Sequence, residues 1–457
     1  MNKLISIREI ALKIFLIIND GKVRARDVLD KVIRSQNLSE QDKAFLTEII
    51  YGTIRWLGNL DWIIAQFIKS AKLIKLEPEI LDILRLGLYQ IYHMNSVPNY
   101  AAVNESVNLA KDYGKPGASG LVNAVLRKAI RNEITYPNLK KNPIKHISAR
   151  YSHPEWMVKR WIDRYGVDET IQLCSANNIH PPLYIRTNIL NTTREELVNI
   201  LTKDGVLTST SHNLPESIEI INLGSSMDEF PSYKKGLFQV QDESSMLVTH
   251  ILDPKPGEII IDACSAPGGK STHIAEFMQN TGEILSFDID GQRLELLKES
   301  CKRLGIKIIQ TIEADARQVG EYVKQADRIL VDAPCSGLGV LRRRVEARWR
   351  RSPEQIMEFA QLQYEILDSI SNYVKPNGII VYCTCTIEPE ENQQIVEKFL
   401  KLHPEFHVQS VYAFLTDDLM QIEDIVSDEG YLQTYPHRHK MDGFFAVRMI
   451  KKVIEDI

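Results

Sequence analysis

The sequence predicts a multidomain protein in three parts: an all-α N-terminal domain over residues 1–140, linker helices with a small α+β unit over 141–240, and a doubly wound α/β domain over 241–457. Three observations predict it. A chain of 457 residues exceeds one ordinary hydrophobic core. Apolar residues recur at helical spacing through the first 140 residues. From about residue 240, short β-rich runs alternate with amphipathic helical ones.

The opening stretch, MNKLISIREIALKIFLIIND, has the apolar content of a secretion signal but not its pattern. Arg8, Glu9 and Lys13 interrupt it, no small-residue cleavage site follows, and Ile7, Ile10, Ala11, Ile14 and Ile17 fall at helical spacing, so an amphipathic helix is expected. Further helices are expected over LEPEILDILRLGLYQIYHM (76–94) and AAVNESVNLAKDYG (101–114), separated by the turn signals SVPN and GKPGASG. The run YPNLKKNP (136–143) reads as a linker and HPEWMVKRWIDRYG (153–166) as a short helical segment. LYIRTNIL, the helix TREELVNILTKDG and a strand at SIEII make the small α+β unit. The last part runs EIIIDA, a helix from Gly268, GEILSFDID, a helix over 291–304, IKIIQTIEAD, DRILVDAP, a helix over 353–374, GIIVYCTC and a helix from Glu390. Such alternation builds a mostly parallel sheet covered by helices.

The net charge of −5 conceals an asymmetry. Residues 1–145 hold 22 Lys and Arg against 14 Asp and Glu, a balance of +8 on an acidic protein, which suits a polyanionic partner for that half or a solvated basic surface. The six cysteines follow no secreted framework spacing, so reduced thiols in the cytoplasm are expected. No apolar run approaches the roughly 20 residues that span a bilayer, and no membrane partner is expected.

In an open sheet of this kind, ligands bind beyond the carboxyl ends of the strands. That rule selects DACSAPGGKS (262–271), FDID (287–290), DAPCSGLG (332–339) and YCTCT (382–386). The first is a nucleotide-type loop: a strand enters a turn with two glycines and then a helix, and Asp288 closes the next strand roughly 20 residues later, where a ribose-binding carboxylate belongs. The run Cys264, Ser265, Ala266, Pro267, Gly268, Gly269 lacks the spacing G-x-G-x-x-G, which argues against hydride transfer. The string from Cys264 to Ser271 matches a P-loop except at its first position, and RILVDA ending in Asp332 resembles a metal-holding strand end. Cysteine in place of the first glycine, and Pro267 without an N–H, argue against an NTPase.

Cys264, Cys335, Cys383 and Cys385 do not have the paired knuckle spacing of a zinc site, and no metal is expected. Cys174 and Cys301 read as small core hydrophobes. Cys335 and Cys385 stand at strand-to-loop junctions, where a thiolate can be stabilised. Strand period two turns Cys383 and Cys385 to one face, with Cys385 nearer the crevice. RRRVEARWRR, with six arginines in 342–351 and Trp349, combines phosphate-binding and base-stacking groups and is expected to meet single-stranded RNA or an extruded base.

Taken together, DACSAPGGKS, DAPCSGLG and TCTIEPEEN resemble the motifs of S-adenosylmethionine-dependent RNA cytosine-5 methyltransferases, above all the RsmB (Sun/Fmu) family of bacterial 16S ribosomal RNA methyltransferases. FQVQDESS (238–245), DGFFAVRM (442–449) and AAVNESVNLAKDYGKPGASGLVNAVLRK (101–128) extend the resemblance over nearly the whole chain. It implies a NusB-like, RNA-binding N-terminal domain, an α+β RNA-binding subdomain and a Rossmann-like methyltransferase domain. It implies S-adenosyl-L-methionine as methyl donor and 16S ribosomal RNA or a small-subunit assembly intermediate as partner, with carbon 5 of a cytosine, the cytosine 967-type site, as target. A monomer is expected.

By motif position Cys385 is then the nucleophile that adds at carbon 6 of the base, Cys335 assists loss of the carbon 5 proton and release of the enzyme, and Asp332 holds the cytosine edge. Cys383 falls where the pattern calls for no cysteine. The donor is expected on the loop of Cys264, Ser265, Ala266, Pro267, Gly268, Gly269 and Lys270, with Asp288 on the ribose hydroxyls, Asp315 beside the adenine and Asp332 at the methionine end. A non-catalytic RNA-binding or ribosome-assembly factor is the competing class, and a P-loop-like NTPase the third. Two thiols in one crevice favour the enzyme.

Overall fold

A computed structural model describes residues 6–19, 21, 23–68, 76–211, 213–223 and 226–452. The chain divides into two compact units, Met1–Ile179 with Leu341–Arg350, and His180–Val340 with Arg351–Ile457.

The first unit is helical, with α-helices Ile7–Ile18, Ala25–Ser35, Glu40–Arg55, Leu57–Phe67, Pro78–His93, Asn99–Tyr113, Ala118–Arg131, Pro143–Tyr151, Glu155–Tyr165 and Val167–Ala176. Local chemistry sets their starts. Ser6 and Ser39 accept hydrogen bonds from the backbone N–H three residues on, and Pro78 and Pro143 occupy first-turn positions where a missing N–H costs nothing. The first helix buries Ile10, Ala11 and Ile14 as its spacing predicts, adding Leu12, Phe15 and Ile18; Ile7 is half-buried and Ile17 exposed. None of the described helices is long and apolar enough to cross a membrane.

Part of the arginine-rich segment is interior: Arg342 and Arg348 are buried, while Arg344 is exposed. Val345 lies in the helical core and Arg348 is fully buried. The Arg348 guanidinium donates to the carbonyls of Arg55 (3.1 Å), Ser152 (3.1 Å) and Asn177 (3.0 Å) and to Asn178 Oδ1 (2.7 Å). Arg55 is the last residue of its helix, and Ser152 and Asn177 cap theirs, so one cation satisfies the unpaired carbonyl ends of three helices. Trp349 Nε1 donates to Ile54 O (2.7 Å) and its ring abuts Gly58, while Arg350 donates to Val23 O (2.7 Å). Sequence alone treats such a charge run as a solvated face because the acceptors that bury it lie about 170 to 300 residues away.

The second unit holds two sheets. The smaller is antiparallel, with strands β1 (Leu183–Thr187), β2 (Leu207–Thr210), β3 (Ser217–Asn222) and β4 (Phe238–Val240) in the order β2-β3-β1-β4. The helix Arg194–Lys203, opened by a Thr193/Glu196 capping box, packs Leu197 and Leu201 on Ile185, Ile218 and Phe238.

The larger sheet comprises β5 (Ile259–Asp262), β6 (Glu283–Asp288), β7 (Ile309–Glu313), β8 (Ala326–Asp332), β9 (Val374–Thr384), β10 (Phe406–Gln409), β11 (Leu432–Thr434) and β12 (Phe444–Lys451). Its order is β10-β12-β9-β8-β5-β6-β7, with β11 also on β12; β5 to β9 are parallel and β12 runs antiparallel beside β9. Both faces are buried. Ile261, Phe287, Val331 and Tyr382 line one core, and Ile260, Ile284, Leu330, Val381 and Cys383 the other, which is why these strands read as unbroken apolar runs. The chain leaves β5 toward β6 and β7, then returns to β8 on the other side, so the crevice opens at the carboxyl ends of β5 and β8. The helix expected over 353–374 ends at Ser371 because β9 begins at Val374, and the helix expected from Glu390 begins at Gln393 after a 3-10 turn.

Candidate active site

The loop after β5 is held by its own neighbours. Ser265 N–H donates to Phe287 O (2.8 Å), Ala266 N–H to Asp288 Oδ2 (3.1 Å) and Gly268 N–H to Ser265 O (2.8 Å). The Ala266–Pro267 peptide is cis. Gly268 has φ +100°, and a Cβ there would stand 2.2 Å from Leu297 Cδ1, so only glycine fits this turn into the helix Gly269–Phe277. The P-loop resemblance ends here: three of the N–H groups that would cradle phosphate are spent inside the fold, and Pro267 has none.

Carboxylates surround the loop. Burial and the charges of Asp262, Asp332, Asp288 and Asp315 push the Cys264 thiol well up, which keeps it protonated and unsuited to a thiolate role. Asp262, absent from the candidates read in sequence, is fully buried; it accepts from Ser271 Oγ (2.6 Å), and burial raises its carboxyl to about 7. Asp288 accepts from the N–H groups of Ala266 and Asp290 and lies 3.5 Å from Arg293. Asp315 caps a 3-10 helix, and hydrogen bonds from Arg317 hold its carboxyl below the usual range. Such a negative lining repels a triphosphate and suits neutral hydroxyls and a cationic sulfonium. These residues fit S-adenosylmethionine on chemical grounds.

At the end of β8, Asp332 accepts from Lys270 Nζ at 2.6 Å and from the Cys383 thiol at 3.5 Å. Asp332 and Cys383 are register partners in the parallel β8–β9 pair, which places them side by side. Burial works against the Lys270 charge, but Asp332 more than offsets it and the pKa rises. Cys383 is fully buried, and burial followed by the Asp332 charge pushes its thiol well up. Cys385, two residues on and on the same face, is partly exposed.

Cys335 and Cys385 meet, with Sγ atoms 3.3 Å apart. Residues that sequence reading left without a role hold them. Glu391 accepts from Ser336 N–H (2.8 Å), Ser336 Oγ (2.5 Å) and Gln363 Nε2 (3.0 Å), and Gln363 also donates to Pro334 O (2.9 Å), which fastens the Cys335 loop. Thr384 Oγ1 donates to Asn392 Oδ1 (2.6 Å), and Asn392 Nδ2 donates to Thr386 O (3.0 Å), which fastens the turn around Cys385. Gly339 N–H donates to Cys385 O (3.0 Å), and a Cβ on Gly339 would lie 2.0 Å from Gly443 O. The signal for Glu391 and Asn392 was the EPEEN string itself. Among the described residues the four cysteines of the rejected zinc reading do not converge on one point.

The parallel sheet with its switch point, the acidic cofactor loop and the paired thiols define an S-adenosylmethionine-dependent methyltransferase domain. The family model for the 16S rRNA methyltransferase RsmB/F matches residues 249–450, that for the NusB family residues 5–131, and that for the RsmF/B-like ferredoxin-like domain residues 153–225. The chain is 36% identical over 450 residues to the probable ribosomal RNA small subunit methyltransferase B of Bacillus subtilis (strain 168), covering 98% of this chain and 99% of that one. It is 34% identical over 454 residues to ribosomal RNA small subunit methyltransferase B of Yersinia pseudotuberculosis serotype O:1b (strain IP 31758), covering 99% and 100%. The crystal structure of PH0851 superposes with a TM-score of 0.81 at 29% identity, covering 97% of this chain and 98% of that one. This chain belongs to the RsmB/F family of S-adenosylmethionine-dependent rRNA methyltransferases, with its helical, ferredoxin-like and Rossmann-like parts in that order.

Proposed function

We propose that this chain methylates carbon 5 of a cytosine in 16S ribosomal RNA, at the cytosine 967-type site, through a covalent cysteine adduct. The observation that carries the reading is the 3.3 Å approach of the Cys335 and Cys385 thiols, with Asp332 hydrogen-bonded to Cys383, two residues before Cys385. Carbon 5 of cytosine is a weak nucleophile until a thiolate adds at carbon 6. Cys385 is the more exposed thiol and, ionised, supplies that attack. Cys335, held by the Ser336–Glu391 clamp and acting as its thiolate, takes the carbon 5 proton, and the electron pair left behind re-forms the carbon 5–carbon 6 double bond as the carbon 6–sulfur bond breaks and returns the Cys385 thiolate. Asp332, fixed by Lys270 and Cys383, accepts from the amino group of the base and from its ring nitrogen once that nitrogen is protonated. Bound S-adenosylmethionine supplies the methyl group as an electrophile. Cys264 to Lys270, Asp288, Asp315 and Asp332 would hold it, with Asp288 and Asp315 offering remaining lone pairs to hydroxyl and amino groups.

The base reaches this crevice by leaving its stack, at a cost of a few kcal/mol that is least in a loop. The basic, NusB-like unit supplies affinity for the RNA backbone. The protein acts as a cytoplasmic monomer on rRNA or a small-subunit intermediate.

The test is methyl transfer from labelled S-adenosylmethionine to unmodified 16S rRNA. Cys385→Ala is expected to lose transfer by roughly a thousandfold or more, as expected for a missing nucleophile. Cys335→Ala is expected to accumulate a protein–RNA adduct stable to denaturant. An active Cys385→Ala variant, or a folded wild type that binds RNA without transferring, would overturn the reading; the second result favours an assembly factor.

A further inference from the structure

We propose that Glu216, His250 and His273 form a binding site for one divalent transition-metal ion of the zinc class. Glu216 immediately precedes β3, His250 lies on the helix Glu243–Leu252, and His273 lies on the helix Gly269–Phe277 that follows the cofactor loop. One carboxylate and two imidazoles are a donor set suited to such an ion, and three protein ligands leave one position for water. Their ligand atoms all lie within 4.8 Å of one another, with Glu216 Oε1 2.8 Å from His250 Nε2 and 3.2 Å from His273 Nε2. Tetrahedral donors about 2.0–2.1 Å from an ion stand about 3.3–3.4 Å from each other. The two Glu216–imidazole approaches, at 2.8 and 3.2 Å, therefore need only open slightly, and the two imidazoles, with ligand atoms within 4.8 Å, need only draw together by a rotamer adjustment to receive one.

Orientation supports the same reading. His273 is fully buried, yet neither of its ring nitrogens makes a hydrogen bond; the 3.2 Å approach to Glu216 is off the hydrogen-bonding axis. Ligands of a shared ion approach each other in the way His273 approaches Glu216, with the lone pair directed away from the neighbour; His250 Nε2 hydrogen-bonds to Glu216 Oε1 at 2.8 Å, and an ion would take the place of that proton. Phe277 packs edge-on against both imidazoles at 4.9 and 5.0 Å and fixes their planes. Charge also favours a cation. Glu216 is buried, and the nearby Arg186 is spent on Glu276 at 2.6 Å, so among the described residues the ion pairs of Glu216 are with the two imidazoles alone. His250, with its side chain 15% exposed, provides the way in. An ion here would tie the cofactor-loop helix to the end of the small sheet. No spacing in the sequence reveals the set, since each ligand comes from a different element.

The test titrates Co2+ alone into chelator-stripped, full-length protein and follows visible absorption. One cobalt per chain is expected, with nitrogen/oxygen d–d bands, no thiolate charge-transfer band, displacement by Zn2+, and a rise in thermal midpoint. His250→Gln and Glu216→Gln are expected to weaken binding at least tenfold, with folding checked by circular dichroism; His250→Gln, at the partly exposed position, decides if Glu216→Gln does not fold. No binding by folded wild type, binding through thiolates, or equal binding by His250→Gln overturns the proposal and leaves a proton between His250 and Glu216. The outcome is independent of methyl transfer.

Discussion

Two cations drawn away from solvent, Lys270 in the candidate crevice with its side chain 12% exposed and Arg348 fully buried in the helical unit, solve the same electrostatic problem in opposite ways. Lys270 has a full carboxylate partner, Asp332, at 2.6 Å, and its pKa rises. Arg348 has four neutral oxygens, and burial followed by the charge of Arg55 lowers its pKa to about 9. A carboxylate partner keeps charge available at a site where ligands must be recognised, and the Asp332 side chain is 30% exposed. Helix-end carbonyls spend the charge entirely on architecture: the planar fork of Arg348 reaches three helix termini that would otherwise be unpaired.

The sharpest way to break this comparison is Arg348→Met, which removes the donors and keeps most of the bulk. It is expected to cost about 3–5 kcal/mol in urea unfolding, because several buried acceptors lose their partners. Arg348→Lys should recover little, since one ammonium cannot span three helix ends. A loss below about 1 kcal/mol would show that the segment is only lightly anchored.

A second test works on the crevice side. The folded-state pKa of Asp262 is raised to about 7, so its protonation contributes stability that is complete below the unfolded value near 3.9 and is lost as pH rises through about 7. Asp262→Asn, which cannot ionise, should therefore gain on wild type by about 2 kcal/mol between pH 5 and 8 in parallel denaturation curves. A pH-independent difference would mean that Asp262 is ionised in the fold and shares the role of Asp332.

The smallest expected effect is that of Cys383→Ala. It removes a buried sulfur and one weak donor to Asp332, so about 1 kcal/mol of stability should go while methyl transfer stays within a few-fold of wild type. Measured beside Cys385→Ala, it separates a thiol that packs from one that reacts. Loss of transfer in Cys383→Ala with normal folding would exchange the roles assigned within YCTCT.

The crevice was largely legible because its loops are local. Gly268 announces a left-handed turn, Asp288 ends a strand, and alternation of apolar positions places Cys383 and Cys385 on one face. Asp262 was missed because a buried carboxylate at the end of an apolar strand has no spacing signature. The interior role of Arg348 was illegible for a different reason: nothing near it in sequence reveals the helix ends that bury it.

The sequence by itself determined the order of helical, small α+β and doubly wound parts, the acidic glycine loop and the short list of thiols, because side-chain period and turn chemistry act over a few residues. Tertiary structure alone decided that Cys335 meets Cys385 across 50 residues, that Glu391 clamps Ser336, that Glu216 faces two histidines and that Arg348 is interior. Those pairings depend on strand register and helix packing, which bring together groups that no local rule connects.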